Sequence, residues 1–288
     1  MPLASFRKIC RATGVSRTSR VPCSRGSSGI PSIDDGLAIR IHQLIQQFPT
    51  YGYRRIWAML KFKQGLNINA KKVYRIMKLK GWFCTQRSKT PKPRVKKMKS
   101  EAAESNQRWA LDLTHITCGA DGWGHLVAVI DCHDREIIGW EFALRGRARE
   151  AERAIEEACI KRFGTLRPTA EVMPVVRSDN GLIFNSRSFR STCKDYRLTQ
   201  EFITPYTPEQ NGMIERWFRS LKEECVWQFN FESFEQARRE ITAWIEFYNT
   251  ARPHSSLGYL SPVEYRAKYV KFVDRKSTRL NSSHANIS

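Results

Sequence analysis

The net positive charge of this 288-residue chain is confined to its first third. Residues 1–100 contain 23 Lys and Arg but only two acidic residues, Asp34 and Asp35, so they carry a net charge of +21. Residues 101–288 contain 26 basic and 26 acidic residues and are neutral overall. A balanced body with so basic a leading region is typical of a protein that binds a polyanion, most simply nucleic acid.

Several other protein classes are disfavoured. No apolar run approaches the 18 or so residues of a membrane helix, and the basic N-terminus lacks the apolar stretch of a secretory signal. The eight cysteines are scattered, with no Cys-x-x-Cys pair. This pattern argues against a zinc ribbon or a disulfide scaffold and suits reduced thiols in a cytoplasm.

Residues 36–86 are predicted to form a small all-helical DNA-binding domain. The segments "LAIRIHQLIQQF", "YGYRRIWAMLK" and "INAKKVYRIMKLKGW" have apolar residues at helical spacing, with Asn69 as an N-cap and Gly81 at the end. An ordinary solvated helical hairpin is the alternative. The residues of the last helix expected to contact DNA are Lys71, Lys72, Arg75 and Lys78.

The segments on either side of this domain are basic and poor in apolar residues. Residues 1–35 are predicted to be a poorly ordered lead-in, with a remnant of a helix-turn-helix as the alternative. Residues 87–105 are predicted to be a linker, because "RSKTPKPRVKKMK" has seven basic residues and two prolines and would be extended unless held on phosphates. Its expected DNA contacts are Lys92, Arg94, Lys96 and Lys97.

Residues 106–273 have the pattern of an α/β domain with a mixed sheet. "QRWALDLTHI" predicts one strand, and "GWGHLVAVIDCHDREIIGWEFAL" predicts two more around a polar turn at residues 133–135. A helix that ends at Gly164 follows, then a fourth strand in "EVMPVVRSDNG". "NGMIERWFRSLKEECVWQF" predicts a helix with one apolar stripe.

Three acidic residues occupy unusual positions in this pattern. Asp112 lies inside an apolar strand, where a charge is costly without a role or a partner. Asp179 ends the fourth strand in "VVRSDNGLIF", which is either simple turn chemistry or a rigid strand end that holds a catalytic carboxylate. Glu215 starts the later helix, with 35 residues between it and Asp179.

The motifs around these acids resemble a known family. "WALDLTHI", "SDNG", "PYTPEQNGMIERWFRSLK" and the ending "FYNTARPHSSLGYLSPVEY" resemble the OrfB transposases of the insertion-sequence-three family, which have the DD(35)E signature of the retroviral-integrase superfamily. The "YGYRRIWAMLK" region resembles the helical domain upstream in the same proteins. The resemblance covers about residues 36–272 and rests on the combination of motifs.

The resemblance implies an RNase H-like integrase catalytic core. Asp112 and Asp179 would lie on neighbouring strands, Glu215 would come from a helix, and the three would bind two Mg²⁺ ions, or Mn²⁺, for phosphoryl transfer. Lys222 is predicted to contact DNA near the scissile phosphate, with Arg219 and Asn180 as further DNA contacts. Asp131 and Asp134 lie at the turn between two strands and are predicted to be turn residues outside the triad.

The expected function is therefore that of an insertion-sequence transposase, which cuts element ends and joins them to target DNA in the bacterial cytoplasm, at the nucleoid. The family usually acts as a fusion with an upstream OrfA product, and a homo-oligomer is expected. A non-catalytic DNA-binding regulator of the element is the alternative, although such a protein has no need of three clustered acids. Another RNase H-like nuclease, such as a resolvase, fits the 35-residue spacing and Lys222 less well.

Residues 274–288, "DRKSTRLNSSHANIS", differ from everything before them. They show no apolar face and no strand alternation, and they resemble the translation of a sequencing adapter. The hypothesis is that this tail is an artefact of sequence assembly. A natural disordered terminus is the alternative.

Overall fold

The computed structural model describes residues 33–84, 102–166, 172–204 and 207–269. The predicted tail, nearly all of the predicted lead-in and most of the predicted linker lie outside these residues. So do four predicted DNA contacts, Lys92, Arg94, Lys96 and Lys97.

Residues 33–84 of the basic leading region fold into a three-helix unit, as predicted. Its helices are α1 (Asp35–Gln47), α2 (Tyr53–Ala58, continued by a π-helical turn over Met59–Lys63) and α3 (Ala70–Leu79). The Asn69 side chain caps α3 by accepting the Lys71 backbone N–H at 2.9 Å. The fully buried side chains of the unit are Ile41, Ile56, Leu60, Val73, Ile76 and Met77.

A five-stranded mixed sheet forms the centre of the larger unit. Its strands are β1 (Arg108–Thr117), β2 (Trp123–Asp131), β3 (Ile137–Ala143), β4 (Val175–Ser178) and β5 (Thr199–Phe202). The order is β3-β2-β1-β4-β5; the first three strands are antiparallel, and β4 and β5 run parallel to β1. This is the RNase H-like mixed sheet that the sequence predicts.

Helices cover both faces of the sheet. The helices of this unit are α4 (Ala148–Phe163), α5 (Leu182–Asn185), α6 (Arg187–Asp195), α7 (Gly212–Glu224) and α8 (Phe234–Thr250), with a last helical segment at 262–269. One face packs on α4, α5 and α6, and the other packs on α7 and α8. None of the helices in the described ranges combines the length and the apolarity needed to span a membrane.

Helix α4 packs very closely on the sheet at Gly139 in β3. A Cβ added there would lie 2.0 Å from the Ala154 carbonyl oxygen, so only glycine lets α4 sit directly on the strand.

The three-helix unit packs against the core. Phe48 stacks on Phe247 of α8 with ring centroids 5.4 Å apart. The Glu224 carboxylate, at the end of α7, accepts hydrogen bonds from Arg55 of α2 and from Arg252, at 2.7 Å each. Burial raises the pKa of Glu224, but the two guanidiniums outweigh this effect and lower the pKa overall, so the carboxylate stays ionised.

A buried arginine organises the turn between β2 and β3. The side chain of Arg162 is fully buried, and its Nη2 lies 2.9 Å from Asp134 and 3.1 Å from Glu136. Burial and the charge of Asp131 raise the pKa of Asp134 to about 6, an effect that Arg162 partly offsets. The Asp131 carboxylate accepts the backbone N–H of Asn106 at 2.7 Å. These contacts support a structural role for Asp131 and Asp134.

Replacing Arg162 by Met should destabilise the fold by about 3–5 kcal/mol, because buried carboxylates would lose their cation. Arg153 lies on the same helix and pairs with Glu141 at 3.2 Å, but its side chain is 49% exposed. Arg153→Met should therefore change the free energy of unfolding by less than about 1 kcal/mol. Urea unfolding of both variants checks this, and similar losses in the two would contradict it.

Candidate active site

The parallel pairing of β1 with β4 brings two of the predicted acids together. Ala110 pairs with Arg177 in this ladder, so Asp112 and Asp179 each lie two residues further along their chains. β4 ends at Ser178, whereas β1 continues to Thr117. The sheet therefore opens between the two strands beside Asp112, and Asp179 leaves β4 at this opening.

The third acid arrives on α7. Asn211, just before the helix, donates from its side-chain Nδ2 to the Leu111 carbonyl oxygen at 3.2 Å, next to Asp112. Arg177 donates from Nη1 to the Gln210 carbonyl oxygen at 3.0 Å. These two bonds hold the start of α7 against the strands, with Glu215 exposed in its first turns.

The charges of the three acids act on one another. Burial raises the pKa of Asp112 to about 7, and the nearby charges of Asp179 and Glu215 add to the rise. The Leu113 backbone N–H, 2.8 Å from Asp112 Oδ1, and the charge of Lys222 act in the opposite direction. The site thus holds more negative charge than its own cations neutralise, which favours binding of a cation.

Three carboxylates are the hard oxygen donors that divalent cations such as Mg²⁺ and Mn²⁺ prefer. Asp179 Oδ1 accepts the Gly181 backbone N–H at 3.0 Å, which orients that carboxylate at the end of β4. Within the described ranges, however, no set of three or more His, Cys, Asp or Glu side chains is arranged so that it could hold a metal ion as it stands. The donor chemistry fits the metal, and the ligand roles stay a prediction.

The other residues predicted near the site have varied surroundings. Lys222 is half-buried on α7, and its charge reaches Asp112. Arg219 pairs with Glu223 at 2.7 Å on the helix surface. The Asn180 Nδ2 donates to the Ile203 carbonyl oxygen at 2.9 Å, which braces the loop after β4.

Four predicted DNA contacts lie on α3, away from the carboxylates in the chain. Lys71, Arg75 and Lys78 are exposed. Lys72 forms an ion pair with Asp34 at 2.8 Å, which also caps α1. Lys72 therefore already has an acidic partner, which a phosphate would have to displace or share. Their roles in DNA binding stay predictions.

Three family models match parts of this chain. A family model described as an integrase core domain matches residues 102–208, a second of the same description matches residues 196–262, and one described as an HTH-like domain matches residues 32–90. The InsD transposase of insertion element IS2 from Escherichia coli is 31% identical over 238 residues, covering 81% of this chain and 78% of that protein. The chain belongs to the insertion-sequence-three family of transposases.

Two viral integrase structures are also similar to this transposase. A chain of the simian T-cell lymphotropic virus intasome, solved in complex with a PP2A regulatory subunit, is 15% identical with a TM-score of 0.48, covering 78% of this chain and 74% of that one. The catalytic core domain of BIV integrase is 21% identical with a TM-score of 0.42, covering 58% and 99%. The family assignment rests on the sequence relatives.

Sequence reasoning missed the residues that position the triad. These residues are Asn211 and Arg177, which hold the start of α7 against the strands. Asn211 is buried, and Arg177 also pairs with Glu201 at 3.0 Å. An arginine in the middle of a four-residue strand was the one available signal. The bond from Asn211 to Leu111 spans 100 positions of the chain, so the residues next to Asn211 in the sequence do not predict it.

The metal-free transposase should become more stable when Asp112 is replaced by Asn. The pKa of Asp112 is higher in the folded state than its usual value of 3.8, so stability is lost as the pH rises from about 4 to about 7. Asn cannot ionise and avoids this loss. Because the side chain is partly exposed, we expect a gain on the order of 2 kcal/mol at about pH 8 and little gain near pH 4.

Urea unfolding in EDTA at the two pH values measures this gain. Asp195→Asn, at an exposed position on α6, is the matched control and should show no gain at either pH. A gain for Asp112→Asn that does not depend on pH would contradict the assignment.

Proposed function

We propose that this transposase cuts the ends of its element and joins them to target DNA with Asp112, Asp179 and Glu215 as the catalytic carboxylates. The observation that carries the proposal is the parallel register of β1 with β4, which brings Asp112 and Asp179 to the same level of the sheet. The rise in the pKa of Asp112, caused by burial and then by the charges of Asp179 and Glu215, supports it.

We further propose that the three carboxylates hold two Mg²⁺ ions, with Mn²⁺ able to replace them. When bound, such ions activate a water or a 3′-hydroxyl and stabilise the departing oxygen in an in-line displacement. Asp112 must lose its proton to act as a ligand, and its pKa near 7 makes this step sensitive to pH. Lys222 holds the DNA phosphate beside the carboxylates and offsets its charge.

DNA binding is proposed to extend over the basic leading region. Residues 36–86 would form the recognition domain and residues 87–105 the linker that leads to the core at residues 106–273. The contacts proposed in addition to Lys222, Arg219 and Asn180 are Lys71, Lys72, Arg75, Lys78, Lys92, Arg94, Lys96 and Lys97. Fusion to an upstream OrfA product, a homo-oligomeric active form and a place at the bacterial nucleoid complete the proposal.

Asp179→Asn should abolish Mg²⁺-dependent 3′-end cleavage of a labelled element end, by more than about a hundred-fold, because an amide is a poor ligand for a hard cation. DNA affinity should be retained. Asp195→Asn makes the same change at an exposed position and should cleave normally. The assay compares initial rates with and without Mg²⁺, and with and without the OrfA product.

The assay also tests the regulatory alternative. If wild type and Asp179→Asn bind DNA equally but neither cleaves it, even with Mg²⁺ and OrfA present, the chain acts as a DNA-binding regulator and the catalytic proposal fails. Equal cleavage by both would remove Asp179 from the catalytic set.

A further inference from the structure

A cleft of about 1000 Å³ lies between the three-helix unit and the core. Its walls are the start of α2, one face of α7 and the segment that follows α8. The α7 residues that line it, Gly212, Met213, Arg216, Trp217 and Ser220, recur at helical spacing. Glu215 lies on an adjoining face of the same helix, so the helix separates the cleft from the carboxylates by about its own width of 10 Å.

The lining of the cleft is strongly cationic. No aspartate or glutamate lines it in the described part of the chain, whereas five arginines do: Arg54, Arg55, Arg135, Arg216 and Arg252. Two of them already have an acidic partner, because Arg55 and Arg252 both form ion pairs with Glu224. The ion pair of Arg55 joins the two units.

The other three arginines have no acidic partner among the residues that the structure describes. Arg54 donates from Nε to the Tyr53 hydroxyl at 3.2 Å. Neither it nor Arg135 nor Arg216 forms an ion pair with any carboxylate that the described residues provide. Cations gathered on one concave surface, without acidic partners among the described residues, create a focused positive potential.

The backbone at Arg135 is a separate observation. Arg135 occupies the turn between β2 and β3 with φ of 62°, in the left-handed region that Gly and Asn occupy with least strain. A glycine at this position would avoid the backbone strain, whereas the arginine that occupies it lines the cleft. Strained backbone of this kind is concentrated at sites with a function.

The protonation of His254, which also lines the cleft, is affected by these arginines. Burial lowers the pKa of this imidazole to about 2, with further lowering by the charges of Arg252, Arg55 and Arg135. His254 is therefore neutral at physiological pH, chiefly because its imidazole is buried, and the positive charges of the nearby arginines add to this effect.

We propose that this cleft binds backbone phosphates of the transposase's DNA, through Arg54, Arg135 and Arg216. Guanidiniums bind phosphate oxygens through paired hydrogen bonds. Because the cleft and Glu215 share α7, a strand whose reacting phosphate lies at the carboxylates reaches Arg216 within about three steps of 3.4 Å. The inference rests on the proposed function for the identity of the ligand, but not on catalysis.

The test measures the salt dependence of binding by the full chain. The variant Arg54→Gln/Arg135→Gln/Arg216→Gln is titrated with a fluorescein-labelled duplex of arbitrary sequence, because phosphate contacts do not depend on sequence. We expect about ten-fold weaker binding or more, and a log–log salt slope reduced by about 0.9 for each lost contact. Arg238→Gln, at an exposed position of α8, should leave affinity and slope unchanged.

Each outcome decides the inference. An unchanged slope and affinity in a triple variant with wild-type circular dichroism would overturn it. Should the triple variant not fold, the single exposed Arg216→Gln must still lower the slope by about 0.9. Saturable binding of inorganic pyrophosphate that is lost in the variant, with DNA affinity unchanged, would assign the arginines to a free polyphosphate instead.

Failure of the proposed catalytic function leaves a different signature. In that case Asp179→Asn and wild type are equally inactive in the cleavage assay. The salt slopes of the arginine variants are measured without metal and without turnover, so they report on the cleft in either case.

Discussion

The parallel pairing of β1 with β4 is the constraint on which the site depends. Two strands separated by more than fifty residues of chain run side by side in one register, so that Asp112 and Asp179 arrive at the same level of the sheet. A shift of one residue would turn one carboxylate to the opposite face. The bond from Asn211 to Leu111 then fixes where α7 begins and thus where Glu215 enters. The placement of the three proposed catalytic carboxylates depends first on backbone register and second on side-chain contacts.

Much of this architecture could be predicted from the sequence, for reasons that individual residues show. Asp112 stands out because an acid inside an apolar strand needs a reason, and Asn69 because a cap has local chemistry. Strand β5 could not be predicted in the same way. Its four residues, Thr199–Phe202, are partly exposed and mostly polar, and they are a strand only because β4 supplies their hydrogen-bond partners. Helix α8 was not predicted either, although its apolar residues pack on the sheet.

Arginine has three different physical roles in this fold. Arg162 is enclosed with acids and neutralises them at the turn between β2 and β3. Arg177 reaches from a strand to its neighbour and to the backbone before α7. The arginines of the cleft differ from both, because three of them keep their charge without an acidic partner among the described residues. Substitutions of arginine in this chain should therefore be interpreted position by position, since the same change removes a buried counter-ion at one site and a solvent-facing charge at another.

The ion pair between Glu224 and Arg55 connects the end of α7 to the three-helix unit. Glu224 is the last residue of the helix and is ion-paired with Arg55 of the three-helix unit, whereas Glu215 lies near the first residue of the helix. Nine residues of helix span about 13.5 Å. A tilt of about 5° about Glu224 would therefore carry Glu215 through about 1 Å, a displacement large enough to change a reaction rate a hundred-fold. A rotation of the three-helix unit would act on α7 through Glu224, and Glu215 would move only as far as the bonds from Asn211 and Arg177 at the start of the helix allow.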